Sequence, residues 1–210
     1  VNLTIGLAFS LYFWLLYGSA ATISAPGPFA FDFGLPGEET LPFLPWTAMV
    51  YLSAMAMHVL SVFLLQTPER FLPLVVTGAL EVLVAWWIYV CLPSPGPIVP
   101  SVAQDASSVF FRLADAINLD GNNFPSLHVA LTTSVAIALG REIGGWARWG
   151  FHFWALAVAV SCVLTKQHYV ADVVAGAALA WLAMRFVHPR VAGELHDGLE
   201  RLGLTQTGLV

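Results

Sequence analysis

The chain is expected to fold as an all-α integral membrane protein, a six-transmembrane-helix bundle with a short interfacial helix in the loop between its third and fourth spans. Three observations carry that expectation. Of 210 residues, 58% are apolar and only 10% are charged, against roughly 25% charged residues in an ordinary soluble domain. Six apolar runs approach the roughly 20 residues needed to cross a bilayer, at about 3–23, 43–66, 71–93, 124–143, 149–166 and 168–187. The basic residues segregate between alternate connections: Arg70, Arg141, Arg148, Arg185, Arg190 and Arg201 on one side, Arg112 and Lys166 on the other.

The first run is too long for a signal peptide and lacks a basic flank, so it is read as a spanning helix. The second and third runs are joined by the short Gln66-Thr67-Pro68-Glu69-Arg70 turn, and the fifth and sixth by a tighter one around Lys166. Both pairs are therefore predicted to be antiparallel neighbours. The loop at 94–123 opens with Ser94-Pro95-Gly96-Pro97. From Val102 to Leu119 it then sets Val109, Phe110, Leu113, Ala114 and Ile117 at helical spacing. Such a helix either lies at the membrane surface or packs on its own protein. The tail at about 189–210 reads as a short polar helix, and residues 1–210 as a single membrane-embedded domain.

Cytoplasmic loops carry the excess of Lys and Arg. Six basic residues against two place both termini in the cytoplasm, and the loops at about 24–42 and 94–123 toward the periplasm, exterior or lumen. The expected location is a plasma or inner membrane. With a net charge of −5 and scattered basic residues, the chain has no footprint for nucleic acid. Cys91 and Cys162 match no metal or redox spacing and read as small buried hydrophobes, although a disulfide between them stays open.

Histidine, lysine and aspartate are costly in membrane segments unless they have a function, and two patches concentrate them. In Lys166-Gln167-His168-Tyr169-Val170-Ala171-Asp172, the histidine and aspartate stand four apart at the start of the sixth run. On a helix this sets them about 40° apart and one turn along the axis. A carboxylate that orients one imidazole nitrogen leaves the other free to attack, so His168 is the candidate nucleophile and Asp172 its orienting group.

In Gly121-Asn122-Asn123-Phe124-Pro125-Ser126-Leu127-His128, a turn, a proline and a capping hydroxyl mark a helix start. The first amides of that helix, including that of Leu127, together with the Ser126 hydroxyl would suit an anion. His128 would donate a proton to a departing oxygen. Lys166 would add positive charge, and Arg112, the other basic residue on this side, an extra clamp. This is the equipment of phosphoryl transfer without a metal.

Structural explanations stand beside these. Histidines at helix ends anchor at interfaces, and a His-Asp pair at helical spacing is also a structural hydrogen bond. His128, His168 and Asp172 are acceptable zinc or iron ligands, but a lysine beside a cation site is unfavourable, so neither metal nor cofactor is expected. His58 and Glu81 are predicted at similar depth in the second and third runs, either as an interhelical hydrogen bond or as a polar wall beneath the site.

At these residues the chain resembles the type-2 phosphatidic acid phosphatase superfamily. Its Pro-Ser-Gly-His signature is seen here as Pro125-Ser126-Leu127-His128, and its third signature is matched by Ser161, His168 and Asp172. The resemblance implies a six-helix bundle, a phosphohistidine on His168, leaving-group protonation by His128 and orientation by Asp172. Cys162 stands where that signature has arginine, and Leu92-Pro93-Ser94-Pro95-Gly96-Pro97 keeps the prolines of the first signature without its bases. Leu127, and the run His168-Tyr169-Val170-Ala171-Asp172, are more similar to inositol phosphorylceramide synthases and sphingomyelin synthases. The expected function is thus a membrane lipid phosphatase, with a lipid phosphate and the bilayer as its partners. The alternatives are a lipid headgroup phosphotransferase using the same histidine and a non-catalytic lipid-binding relative.

Overall fold

The computed structural model describes residues 1–23, 30–99, 107–119 and 121–202, and among them there is no strand. The helices are α1 (Asn2–Ile23), α2 (Ala48–Leu64), α3 (Pro68–Cys91), α4 (Ser107–Ile117), α5 (Leu127–Ile143), α6 (Gly145–Leu164) and α7 (Val170–Leu182). A π-helical turn, Ala183–Val187, carries α7 into α8 (His188–Arg201). Short 3-10 turns at Glu38–Thr40 and Pro45–Thr47 precede α2.

Five helical segments among the described residues are long and apolar enough to cross a membrane: Asn2–Ile23, Pro45–Leu64, Pro68–Cys91, Gly145–Leu164 and Val170–Arg201. The run expected at 124–143 becomes helical only from Leu127 and is 17 residues long, about 25 Å at 1.5 Å per residue. Ser126, with ψ 109°, is extended, so the helix cannot start earlier. This short helix is the centre of the bundle and packs against α2, α3, α6 and α7. Its small residues explain why: Ala130, Thr132, Ser134, Ala136 and Ala138 are buried, and small side chains let helix backbones approach closely where lipid offers no hydrophobic drive.

That central position changes the predicted neighbours. Leu65 and Phe71, on either side of the α2–α3 turn, share an apolar cluster with Met57, Leu74, Leu139 and Met184. Beyond the turn α2 packs on α4, α5 and α6, whereas α3 packs on α1, α5 and α8. The two helices are thus neighbours at their shared end only, because α5 occupies the space between them. The α6–α7 pair remains in contact.

The chain reverses between α5 and α6 within Gly144 and Gly145, whose φ angles of 67° and 54° are left-handed, a conformation that costs glycine little. α6 consequently begins four residues before the predicted 149, and Arg148 lies in its first turn rather than in a loop. The expected loop helix is present as α4. It buries Phe111 and Ala114 while Val109, Phe110 and Leu113 stay exposed. Phe111 meets Phe43 edge-on at 5.3 Å, which fixes α4 against the start of α2; positions 102–106 of the predicted stretch lie outside the described residues. The polar tail helix is seen as α8, packed on α3.

Candidate active site

The end of α6 sets the position of His168. The Gln167 N–H bonds the Cys162 carbonyl at 3.0 Å and the Lys166 N–H bonds the Val163 carbonyl at 3.0 Å, the pairing of a Schellman turn. Glycine usually occupies the left-handed position of this turn, yet here it is Lys166, at φ 55°. A side chain in that conformation costs about 1–2 kcal/mol. The turn also brings the His168 N–H to the same Cys162 carbonyl, at 3.1 Å. Cys162, which stands at the family's arginine position, is fully buried, and it serves the site through its backbone. Cys91 and Cys162 are both free thiols.

α7 then starts at Val170, and Asp172 lies in its first turn. Asp172 Oδ2 accepts the Tyr169 N–H at 2.8 Å and stands 3.5 Å from His168 Nδ1. That separation is longer than a well-formed hydrogen bond, and neither His168 Nδ1 nor Asp172 Oδ1 has a hydrogen-bond partner in the described structure. The predicted pair is therefore adjacent, buried and not yet closed. Burial, then the carboxylate of Asp32 beside it, pushes the Tyr169 phenol up to about 12, so at neutral pH it is a neutral hydrogen-bonding group.

One backbone contact joins the two sequence patches: the Ser126 N–H donates to the Asp172 carbonyl at 3.0 Å. The approach depends on Gly176, where a Cβ atom would collide with the Ser126 carbonyl. Ser126 caps α5, its hydroxyl accepting the Val129 N–H at 3.4 Å. Tyr89 Oη donates to the Pro125 carbonyl at 2.7 Å, and Asn122 Nδ2 donates to the Tyr17 carbonyl at 2.6 Å. The turn before α5 is thereby held from α1, α3 and α7 at once.

His128, in the first turn of α5, stacks on Tyr51 of α2 with ring centroids 4.0 Å apart. Its Nδ1 lies 3.0 Å from Tyr51 Oη, while its Nε2 is buried without a partner. His128 and His168 line one small cavity of about 20 Å³, together with Tyr17, Tyr89, Asn122 and Leu127. Its outer wall comes from apolar side chains that include Trp14 of α1 and Met55 of α2, each more than two-fifths exposed. Residues 40 apart in sequence thus share a pocket at one end of the bundle.

The expected cation is elsewhere. Lys166 Nζ donates to the Glu38 carbonyl at 3.1 Å and lines a second cavity, of about 300 Å³ and predominantly polar, with Asp115, Asn118, Asn123 and Gln167. The two cavities lie on opposite sides of the same chain segments: Ile117, Asn122 and His168 face the first, Asn118, Asn123 and Gln167 the second. Glu38 also accepts the Val170 N–H through Oε1 and the Leu35 N–H at 2.8 Å through Oε2. A loop before α2 is thereby tied to the start of α7. Arg112 is exposed on α4 and lines neither cavity.

His58 and Glu81 do not bond each other. His58 Nδ1 donates to the Ala54 carbonyl at 2.7 Å, and Glu81 Oε1 accepts from Ser134 Oγ at 2.5 Å. With α5 between α2 and α3, its serine takes the carboxylate that the histidine was expected to meet. Among the described residues no three His, Cys, Asp or Glu side chains are grouped to hold a metal ion.

Neither Tyr51 nor Glu38 belongs to the two motif-bearing patches of the sequence. A tyrosine inside an otherwise apolar run was the available signal for the first; nothing local marks the second.

No curated protein and no solved structure matches the chain. The family model described as PAP2 superfamily matches residues 39–186, a span that includes both histidines, Asp172, Ser126, Lys166 and the helices that position them. That match covers well over half of the chain, and this protein therefore belongs to the PAP2 superfamily, that of the type-2 phosphatidic acid phosphatases.

Proposed function

We propose that the protein is a membrane lipid phosphatase that hydrolyses a phosphomonoester or diphosphate of a lipid through a phosphohistidine on His168. The observation that carries this reading is the shared cavity: two imidazoles from different helices face one space, with a carboxylate behind one of them. His168 Nε2 attacks phosphorus in line, a P–N bond forms, and the bond to the leaving oxygen breaks as His128 Nε2 delivers a proton to it. Asp172 stabilises the positive charge that develops on the His168 ring. Water, deprotonated by His128, then displaces the histidine and releases phosphate. The Leu127 and His128 amides with the Ser126 hydroxyl hold the phosphoryl oxygens at the start of α5. Lys166 and Arg112 supply longer-range positive charge at the same end. No metal or cofactor takes part in this scheme.

The wall formed by Trp14 and Met55 supports a lipid substrate, because it is apolar and exposed where acyl chains would surround it. A cavity of about 20 Å³ holds little more than a water, so admission of a phosphoryl group requires this wall to move. In the proposed arrangement α5 is the fourth of six spans, both termini are cytoplasmic, and the histidine end faces the periplasm, exterior or lumen.

The alternative, a headgroup phosphotransferase, would use the same first half-reaction on His168 with a lipid alcohol in place of water as the acceptor. Phosphate release from phosphatidic acid by the purified protein in detergent, with and without an acceptor lipid alcohol, separates the two. In either case His168→Ala is expected to abolish turnover and the acid-labile, base-stable phosphoryl adduct formed with a radiolabelled substrate. Retention of turnover by His168→Ala would overturn the mechanism, and substrate binding without turnover in the unaltered protein would identify a non-catalytic relative.

A further inference from the structure

We infer that Tyr51 is a positioning residue for His128: it holds the Nδ1 edge of the ring in both protonation states of the catalytic cycle and keeps Nε2 aimed at the reacting phosphoryl group. The inference rests on the acid–base role proposed above for His128.

The geometry carries it in three parts. Tyr51 Oη and His128 Nδ1 are 3.0 Å apart, a hydrogen-bonding distance that engages one ring nitrogen and leaves the other unbonded. The rings stack at 4.0 Å with an interplanar angle of 23°, so rotation of the imidazole about its own bond is opposed by the phenol face. Nε2 is buried and unpartnered, while the residue lines the cavity that His168 also faces. A buried polar atom without a partner is costly; one aimed into a substrate cavity acquires its partner when the substrate binds. Tyr51 is itself fully buried, so water does not compete for the contact.

The chemistry explains why a hydroxyl is suited to this place. When His128 acts as the acid, both ring nitrogens carry hydrogen, and Nδ1–H donates to Tyr51 Oη. The Nε2 proton passes to the leaving oxygen, which gives a neutral ring with Nδ1–H still bonded to the phenol and a bare Nε2. That nitrogen takes the proton of the attacking water, and the ring returns to its starting state. When the charged ring releases its Nδ1 proton to solvent between turnovers, the same hydroxyl donates to the bare nitrogen until a solvent proton restores the starting state. A hydroxyl both donates and accepts, so the ring stays held throughout. A carboxylate at this place would favour the charged ring at every step, and a methyl group would hold neither form.

Three measurements on the full chain in detergent or nanodiscs test the assignment. Tyr51→Phe keeps the stacked ring and removes the hydroxyl; it is expected to lower kcat for phosphatidic acid at least tenfold with KM within about twofold. By ¹⁵N NMR of the unaltered protein, His128 is expected to show one dominant, hydrogen-bonded Nδ1 state, and the two tautomers to average in Tyr51→Phe. Should Tyr51→Phe fail to fold, 3-fluorotyrosine at position 51 preserves shape and acidifies the phenol, and is expected to displace the pH dependence of kcat. An unchanged kcat in Tyr51→Phe, identical His128 nitrogen signals in the two proteins, or an unmoved pH profile with fluorotyrosine overturns the inference. The NMR comparison needs no turnover, so failure of the proposed reaction and failure of the Tyr51 contact are read separately.

Discussion

Asp172 has two duties that one substitution can separate. Its Oδ2 accepts the Tyr169 N–H, which starts α7, and its charge faces His168. Asp172→Asn keeps an oxygen for the cap and removes the charge, so the thermal midpoint is expected to change little while kcat falls about a hundredfold or more. Asp172→Ala also loses the cap, worth about 1 kcal/mol, and is expected to lower the midpoint as well. A thermal scan beside a steady-state assay checks both. The four-residue spacing pointed to this pair in the sequence, but His168 precedes the Tyr169 N-cap of α7, so the turn leading into the helix, and not one helical turn, brings the ring to the carboxylate. The 3.5 Å gap between them was not legible, since it depends on how the Schellman turn at Lys166 tilts His168 relative to α7.

Contact between α5 and α7 is what turns two sequence motifs into one site. Gly176 has no side chain where the Ser126 carbonyl passes, so Gly176→Ala must push the helices apart. Overpacking of this kind costs about 1–3 kcal/mol; a lower unfolding temperature is expected together with a loss of turnover greater than the stability change explains. At the mouth of the histidine cavity, α1 and α2 supply Trp14 and Met55. With Cys91 replaced by serine, a short bis-maleimide joining cysteines introduced at these two positions is expected to block lipid phosphate hydrolysis without unfolding the protein. Full activity after verified crosslinking would show that substrate enters elsewhere. Apolar length made five long helices readable among the described residues, whereas α5, at 17 residues, is shorter than these. Its small residues serve close packing against protein rather than exposure to lipid, so its composition and length differ from those of the outer helices.

For the molecule as a whole, the count of six basic residues against two predicts an orientation that can be tested directly. In intact cells, with Cys91 replaced by serine, a cysteine at Glu39 is expected to react with a membrane-impermeant maleimide, and one at Asp197 only after permeabilisation. The reverse pattern would turn the histidine end toward the cytoplasm and refute the proposed location of the reaction. Glu39 is a suitable reporter because its neighbour Glu38 binds the loop to the Val170 N–H and to Lys166, so this loop lies at the histidine end. The tie also explains why Lys166 is not in the histidine cavity: its ammonium is held by a carbonyl 128 residues earlier in the chain.

Composition and apolar run length by themselves determined that the chain is a helical membrane protein, and close spacing in sequence that His168 and Asp172 are near each other, because these properties are local or additive along the chain. Tertiary structure decided the rest: which helix is central, which residue holds His128, where the Lys166 ammonium lies, and that Glu81 meets Ser134 instead of His58. Those outcomes depend on which helix faces meet. In an apolar surrounding that choice follows from close packing of small side chains and from satisfying each buried polar atom, and both are set by partners distant in sequence.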